Sequence, residues 1–295
     1  MITIEPAAGL CNRMRALDSV LALGRAVGSS VAVLWPLDDS CYCPIDMLFE
    51  PLPGVVRVLS HEAAEDALRM EGLARLSPTL SRAVVRVRKS KRLRGARRRI
   101  RNWDAGIWTL NQRDTVYYTS RPEKLIRLAA RHDLYIDTFE RFFRGPTNFE
   151  GFRPVAAIRD RVARFGLDSR AIGVHVRRTD NDNSRRFSPI EGFIEKMQAA
   201  IEEDASTTFY LASDSLDVAA FMEREFPGRI ARQTDKNYAR SEAAGIQQAL
   251  VDLYCLSSCR RIIGSFGSSF TDVASEIGRI PLDVVYRSDG KEVGL

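Results

Sequence analysis

Residues 242–286, EAAGIQQALVDLYCLSSCRRIIGSFGSSFTDVASEIGRIPLDVVY, decide the fold class. Ile246, Leu250, Leu253 and Tyr254 recur at spacings of three and four, so the spacing predicts a helix over 242–257. Arg261–Ile263 reads as a short strand that leads into the small-residue turn Gly264-Ser265-Phe266-Gly267-Ser268-Ser269. Phe270–Ile277 reads as a second helix and Leu282–Tyr286 as another strand. The strand runs are apolar throughout rather than alternating, as expected of parallel strands covered on both faces.

Working back towards the N-terminus, strands are expected at Ala171–Val176, Thr208–Ala212 and Arg229–Arg232. Helices are expected at Pro189–Glu202 and Leu216–Glu225. The first half begins in the same way: a strand over residues 1–5, a turn at Pro6-Ala7-Ala8-Gly9, and a helix marked by Leu10, Met14, Leu17 and Leu21. Val31–Trp35, Val55–Leu59, Val116–Thr119 and Leu134–Phe139 read as further strands. A helix is expected from about His61 to Leu73, and 77–111 as irregular. Alternation of strand and helix gives an α/β class with doubly wound sheets, whose ligands sit at the carboxyl ends of the strands. The stretch from Phe142 to Pro154 is the richest in turn residues, with Gly145, Pro146, Asn148 and Gly151, and the domain junction is expected there. Residues 1–150 and 151–295 are the two expected domains.

Length, composition and charge agree with a folded, two-domain chain. It has 295 residues, 45% of them apolar, and a formal net charge of +6. Residues 82–101, RAVVRVRKSKRLRGARRRIR, hold eleven basic residues and no acid. The 44 basic residues less these eleven leave 33 against 38 acidic ones, a net of −5. A mildly acidic protein therefore carries one strongly basic segment. That segment is a solvated excursion or a contact for an anionic membrane surface or a phosphate-bearing substrate. Nucleic-acid binding is disfavoured, because no aromatic residues interleave with the charges. No apolar run of membrane-spanning length occurs. MITIEPAAGL lacks the basic and apolar regions of a signal peptide, so a cytoplasmic setting is expected, with the five cysteines as reduced thiols. Cys41 and Cys43, or Cys255 and Cys259, would need further Cys or His to hold a metal. The chain has only His61, His132 and His175, so no metal site is expected.

Three segments fall just after predicted strands. The first, Gly9-Leu10-Cys11-Asn12-Arg13-Met14-Arg15, opens a helix, where backbone N–H groups attract anions and the arginines add charge. It reads equally as an ordinary strand-to-helix turn. In the second, His175-Val176-Arg177-Arg178-Thr179-Asp180, two arginines end a buried strand. They meet either a pyrophosphate, which guanidinium grips bidentately, or a salt-bridge network. The third is the Gly264–Ser269 turn, where small residues allow close approach and hydroxyls such as those of Ser268 and Ser269 can hold phosphate oxygens. G-x-G-x-x-G after a strand, G-x-x-x-x-G-K-[ST] and G-x-S-x-G are all missing. Dinucleotide-binding oxidoreductases, P-loop ATPases and a serine nucleophile are accordingly disfavoured.

HVRRTD at 175–180, FYLASD at 209–214 and ALVDLYCLSSCRRIIGSFGSSFTDVASEIG at 249–278 resemble the fucosyltransferase superfamily of the α1,6-fucosyltransferases and nodulation protein Z. GLCNRMR at 9–15 resembles that superfamily's glycine-rich N-terminal loop. The resemblance covers about 170 to 280 and leaves 40–150 unmatched. It implies a GT-B-like enzyme of two Rossmann-like domains that moves fucose from GDP-fucose to a glycan or glycolipid, inverting the anomeric carbon without a metal or other cofactor. By the resemblance, Arg177 holds the β-phosphate and Arg178 maintains the site. His175 and Asp252 recognise the guanine end, and Ser268 binds phosphate together with the Gly9–Asn12 loop. In the α1,6 enzymes a lysine follows the motif's aspartate, and a glutamate five residues after that aspartate serves as base. Here those positions are Asn181 and Arg185, and the nearest carboxylates are Asp180 and Asp182. Two other readings stay open: the same fold with another nucleotide sugar, and a non-catalytic nucleic-acid-binding or scaffold protein acting through 82–101.

Overall fold

The computed structural model describes residues 1–60, 106–168, 170–179 and 182–287. The basic run 82–101, the helix expected from His61, and Asp180 lie outside them. The chain divides into two compact units, one of Met1–Ile45 with Pro51–Gly151, the other of Asp46–Glu50 with Phe152–Leu295.

The first unit contains β1 (Ile2–Pro6), α1 (Leu10–Val27), β2 (Val31–Trp35), β3 (Val55–Ser60), β4 (Trp108–Leu110), α2 (Gln112–Thr119), α3 (Pro122–Arg131) and β5 (Leu134–Thr138). Among the described residues its strand pairs are all parallel, in the order β3-β2-β1-β5-β4. β1 lies in the middle because Ile2 and Ile4 are fully buried, and α1 covers the sheet with Leu10, Met14, Leu17 and Leu21 all buried.

Val116–Thr119 was expected as a strand from its β-branched and aromatic residues, but 112–119 is helix. Asn111 accepts hydrogen bonds from the N–H groups of Arg113 and Asp114, while Asp114 accepts from the N–H of Asn111. This reciprocal capping box starts the helix whatever the β propensity of Val116 and Tyr117, which remain exposed on its surface. The strand lies just before the cap, at Trp108–Leu110, within the stretch expected to be irregular.

The second unit contains α4 (Ala156–Ala163), β6 (Ala171–Val176), α5 (Asp182–Phe187), α6 (Ile190–Glu203), β7 (Thr208–Ser213), α7 (Leu216–Glu225), β8 (Ile230–Ala231), α8 (Ala243–Ser257), β9 (Ile262–Ser265), α9 (Ser269–Gly278) and β10 (Leu282–Val285). The sheet is parallel in the order β10-β9-β6-β7-β8. Counted within the unit this is 3-2-1-4-5 read from β8, the order of doubly wound nucleotide-binding sheets. Ile172, Val174 and Val176 point to one face, where Phe193, Met197 and Met222 pack on them. Alternation along the strand sends Gly173 and His175 to the other face, beneath α8. Asp46–Glu50 joins this unit through backbone bonds, the Glu50 N–H to the Arg153 carbonyl at 2.9 Å and the Val155 N–H to the Leu48 carbonyl at 3.0 Å. Phe49 packs edge-on against Phe152 at 5.4 Å.

Candidate functional site at the switch point of the second sheet

The chain leaves β6 towards β7 and later returns on β6's other side as β9, so the carboxyl ends of β6 and β9 form the topological switch point. The HVRRTD segment ends β6 there and the Gly264–Ser269 turn ends β9. One hydroxyl ties them: Ser265 Oγ accepts from the Arg177 N–H at 3.0 Å and donates to the His175 carbonyl at 3.1 Å. The His175 ring is buried and stacks on Phe270 of α9 at 4.9 Å.

Arg177 and Arg178 take different surroundings, as neighbours at a strand end must. The Arg178 N–H donates to Asp214 Oδ1 at 2.7 Å. The Thr179 N–H and hydroxyl donate to Asp214 Oδ2 at 3.1 and 2.7 Å. The Arg178 guanidinium donates to the carbonyls of Ser188 at 2.7 Å and Arg185 at 3.3 Å. It therefore braces the strand end against the end of α5. Arg177 is half-buried.

The Gly264–Ser269 turn is held from both sides. Ser184 of α5 donates to the Phe266 carbonyl at 2.8 Å, and the Phe266 N–H donates to Ser188 Oγ at 2.8 Å. Gly267 has φ +66, a left-handed conformation that a side chain would strain. Ser268 is the N-cap of α9, yet its side chain makes no cap hydrogen bond. Its Oγ is buried without a partner among the described residues. A buried hydroxyl lacking a partner, at the start of a helix whose first N–H groups have no intrahelical acceptor, can take an anion's oxygen. Ser269 begins the helix and is half-buried.

Asp252 projects from α8 and is 2% exposed. Oδ1 accepts from Tyr210 Oη at 2.7 Å and Gln233 Nε2 at 2.6 Å, and Oδ2 from Lys236 Nζ at 2.5 Å. Lys236 Nζ also donates to the Ser213 carbonyl at 2.7 Å. Burial, and then the adjacent Asp252 carboxylate, push the Tyr210 hydroxyl well above the usual phenol range, so it stays a donor. Asp252, Gln233, Lys236 and Ser213 border a small cavity at the ends of β7 and β8 that Leu211, Ala219, Arg232 and Tyr238 also line. Lys236 and Gln233 have no periodic or motif signal pointing to them, whereas Asp214 closes the quoted FYLASD segment.

Asp182, a candidate base, starts α5 with its side chain 91% exposed and ion-paired to Arg185. Among the described residues, no group of three His, Cys, Asp or Glu side chains is arranged to hold a metal ion.

In the first unit Gly9 is the N-cap of α1 with φ −71, which any residue adopts. A Cβ there would meet only the Ser40 carbonyl, at 3.9 Å. The lobe's own packing thus does not demand glycine at 9. Ala8 carries the left-handed φ of 64 instead. Leu10 and Cys11 are buried and Asn12 half-buried. Arg13 differs from its sequence expectation. Its side chain is fully buried and donates to the carbonyls of Ala8 at 2.6 Å and Pro36, and to Asp38 Oδ1 at 2.8 Å. The charge expected for an anion braces the turn internally.

No family model and no curated sequence matches the chain. Solved structures do. The NodZ α-1,6-fucosyltransferase soaked with GDP-fucose superposes with a TM-score of 0.56 at 17% identity, covering 94% of this chain and 92% of that one. NodZ comes from Bradyrhizobium. An arginine-to-lysine mutant of Arabidopsis thaliana FUT1 in complex with GDP gives 0.59 at 15% identity, covering 99% and 71%. POFUT1 in complex with GDP-fucose gives 0.52 at 11% identity, covering 96% and 97%. At these identities the likeness is one of architecture, and the chain has the GT-B-like α/β fold that these fucosyltransferases share.

Proposed function

We propose that this chain is a glycosyltransferase that moves fucose from GDP-fucose to a glycan or glycolipid acceptor, inverting the anomeric carbon and using no metal. The observation that carries the reading is the juncture of the HVRRTD strand end with the Gly264–Ser269 turn, which holds the buried Ser268 hydroxyl, without a partner among the described residues. The fold likeness supports it, since the NodZ and POFUT1 structures were obtained with GDP-fucose and the FUT1 structure with GDP.

Cleavage of the sugar–phosphate bond leaves negative charge on the diphosphate and positive charge on the sugar. Arg177 holds the β-phosphate and neutralises it as the bond lengthens. Ser268, Ser269 and the start of α9 add hydroxyl and N–H donors. Arg178 acts through the loop it braces. His175 and Asp252 receive the base. The acceptor hydroxyl attacks the face opposite the departing phosphate, which inverts the centre, and its proton passes to a carboxylate, Asp180 or Asp182. For Asp182 this requires releasing Arg185, which is feasible for a pair so exposed. Gly9, Leu10, Cys11 and Asn12 form a second anion-binding turn on their own unit. No described helix is long and apolar enough to cross a membrane. A cytoplasmic setting, and contact with an anionic bilayer through 82–101, belong to the proposal. Salt-sensitive liposome binding lost on neutralising that run checks the contact.

Thermal shift with GDP, UDP, ADP and dTDP tests the donor, because a ligand bound only by the native state raises its stability. GDP is expected to raise the midpoint and GDP-fucose to release GDP. Stabilisation by UDP or dTDP without GDP reassigns the donor, and no response to any nucleotide removes the reading.

A further inference from the structure

We propose that the outer faces of α2 and α3 form a bilayer-contact surface, with Trp108, Val116 and Tyr117 seated among anionic lipid head groups and the surrounding cations on lipid phosphates. The inference does not depend on the donor reading. It adds a described surface of the first unit to the contact proposed for 82–101.

Spacing and burial define the surface. In α2 and its cap, Arg113, Val116, Tyr117 and Ser120 stand at i, i+3, i+4 and i+7, one stripe of a helix, and all four are exposed. The opposite face is the one that packs, with Thr115 buried on Thr138, Oγ1 to Oγ1 2.9 Å. Gln112 lies beside Glu140 and Thr115 beside Thr138, so α2 descends along β5. Its last turn heads for the end of the sheet where Trp108 opens β4 opposite Leu134. Trp108, Val116 and Tyr117 are 51, 55 and 46% exposed, so three large apolar side chains of one small region stay in water. α3 carries the complementary stripe. Lys124, Arg127 and Arg131, at i, i+3 and i+7, are exposed, while Leu125 and Ala129 are buried. The stripes meet at Tyr117: the Arg121 guanidinium lies over its ring, 4.2 Å from the centroid, and Lys124 Nζ donates to its hydroxyl at 3.4 Å.

The charges then select the partner. Residues 108–132 hold five basic side chains and two acidic ones, Asp114 and Glu123, and Asp114 is committed to the capping box of α2. None of the five basic side chains is ion-paired among the described residues, whereas Arg141, Arg159, Arg170, Arg232 and Arg287 each hold a carboxylate. The run 82–101 shortly precedes Trp108 in the chain and adds eleven basic residues of the same sign. Unpaired cations around an apolar stripe suit a surface that is anionic outside and apolar beneath. Tyr and Trp rings settle at head-group depth there, and Lys and Arg stems let their charges reach phosphate. Nucleic acid suits it less. Arg121 covers one face of Tyr117, Tyr118 crowds that ring at 5.2 Å, and the aliphatic Val116 gives a base nothing to stack on.

Sedimentation of the full chain with vesicles of phosphatidylcholine alone, or with about 30% phosphatidylglycerol, tests the surface. Binding is expected to the anionic vesicles only. Val116→Gln with Tyr117→Gln keeps good helix formers and should weaken partitioning about tenfold, at low and high salt alike. Lys124→Gln with Arg127→Gln should weaken it about 25-fold at low salt, about fivefold for each charge, and much less once salt screens the surface. Trp108→Phe should retain binding and shrink the blue shift of tryptophan emission that accompanies it. Unfolding midpoints without vesicles show whether each double variant folds, and if one does not, the other decides. Both double variants binding as tightly as the wild type overturns the inference. If neutralising 82–101 then abolishes binding, the contact proposed for that run stands. No binding to anionic vesicles overturns both, and RNA binding with vesicles untouched makes the surface a polyanion site and overturns the inference too. GDP affinity reads the donor proposal separately.

Discussion

Ser268 offers a substitution whose effects on stability and on binding have opposite signs. Ser268 is 1% exposed, and its hydroxyl has no partner among the described residues and makes no cap bond, so Ser268→Ala removes a liability from the unliganded fold. A buried polar group left unsatisfied costs about 1–3 kcal/mol. The loss of about 1 kcal/mol that usually follows truncation of a serine N-cap does not arise, because the cap bond is not made. The net is a gain of about 1 kcal/mol, a rise of roughly 2–4 °C in the unfolding midpoint of a domain this size. If that oxygen instead serves a phosphate, GDP loses a hydrogen bond to a charged group, about 1.5–3 kcal/mol, or roughly 10- to 100-fold in Kd. Scanning fluorimetry without nucleotide, followed by titration with GDP, reads both effects. A midpoint that drops several degrees, together with unchanged GDP affinity, would refute the reasoning, since Ser268 would then be an ordinary structural serine.

Arg13→Met should destabilise the first unit by about 3 kcal/mol in urea unfolding, because it strands the Ala8 and Pro36 carbonyls inside the protein; a change under about 1 kcal/mol would mean the brace is dispensable. Of Asp180→Asn and Asp182→Asn, one is expected to lower transfer about 100-fold with GDP affinity intact, and if neither does, no carboxylate from this segment takes the proton. Burial pushes the Cys255 and Cys259 thiols up to about 12, so both stay protonated at pH 8. A disulfide reagent should leave them unmodified until denaturant is added, and prompt labelling of either in the native protein contradicts their burial.

The second sheet was legible because its strands are uninterrupted apolar runs and its helices keep a clean spacing, as at Ile246, Leu250 and Leu253. The first was harder where local signals conflict. Val116-Tyr117-Tyr118 has strand-like residues, and only the pair Asn111 and Asp114 betrays the helix. The segment Asp46–Glu50 joins the second unit through isolated backbone bonds, which have no period to detect. At the site, the motif residues stand where strand ends put them. Their partners do not follow from spacing: Ser184 and Ser188 reach the Phe266 backbone from a short helix and its exit, and Lys236 reaches Asp252 from an irregular loop. The Arg13 expectation went astray for a related reason. Charge at a helix start suggests an external anion, and nothing in the local sequence reveals the two carbonyls that enclose it.

The central claim is that Arg177, with no metal ion, receives the departing diphosphate. Release of GDP from GDP-fucose, measured in the presence of EDTA for the wild type and for Arg177→Ala, tests it most directly. The account predicts turnover that persists in EDTA and falls about 100-fold on loss of the guanidinium, the size expected for one charge-stabilising contact. Turnover abolished by EDTA, or an Arg177→Ala enzyme as fast as the wild type, would contradict it.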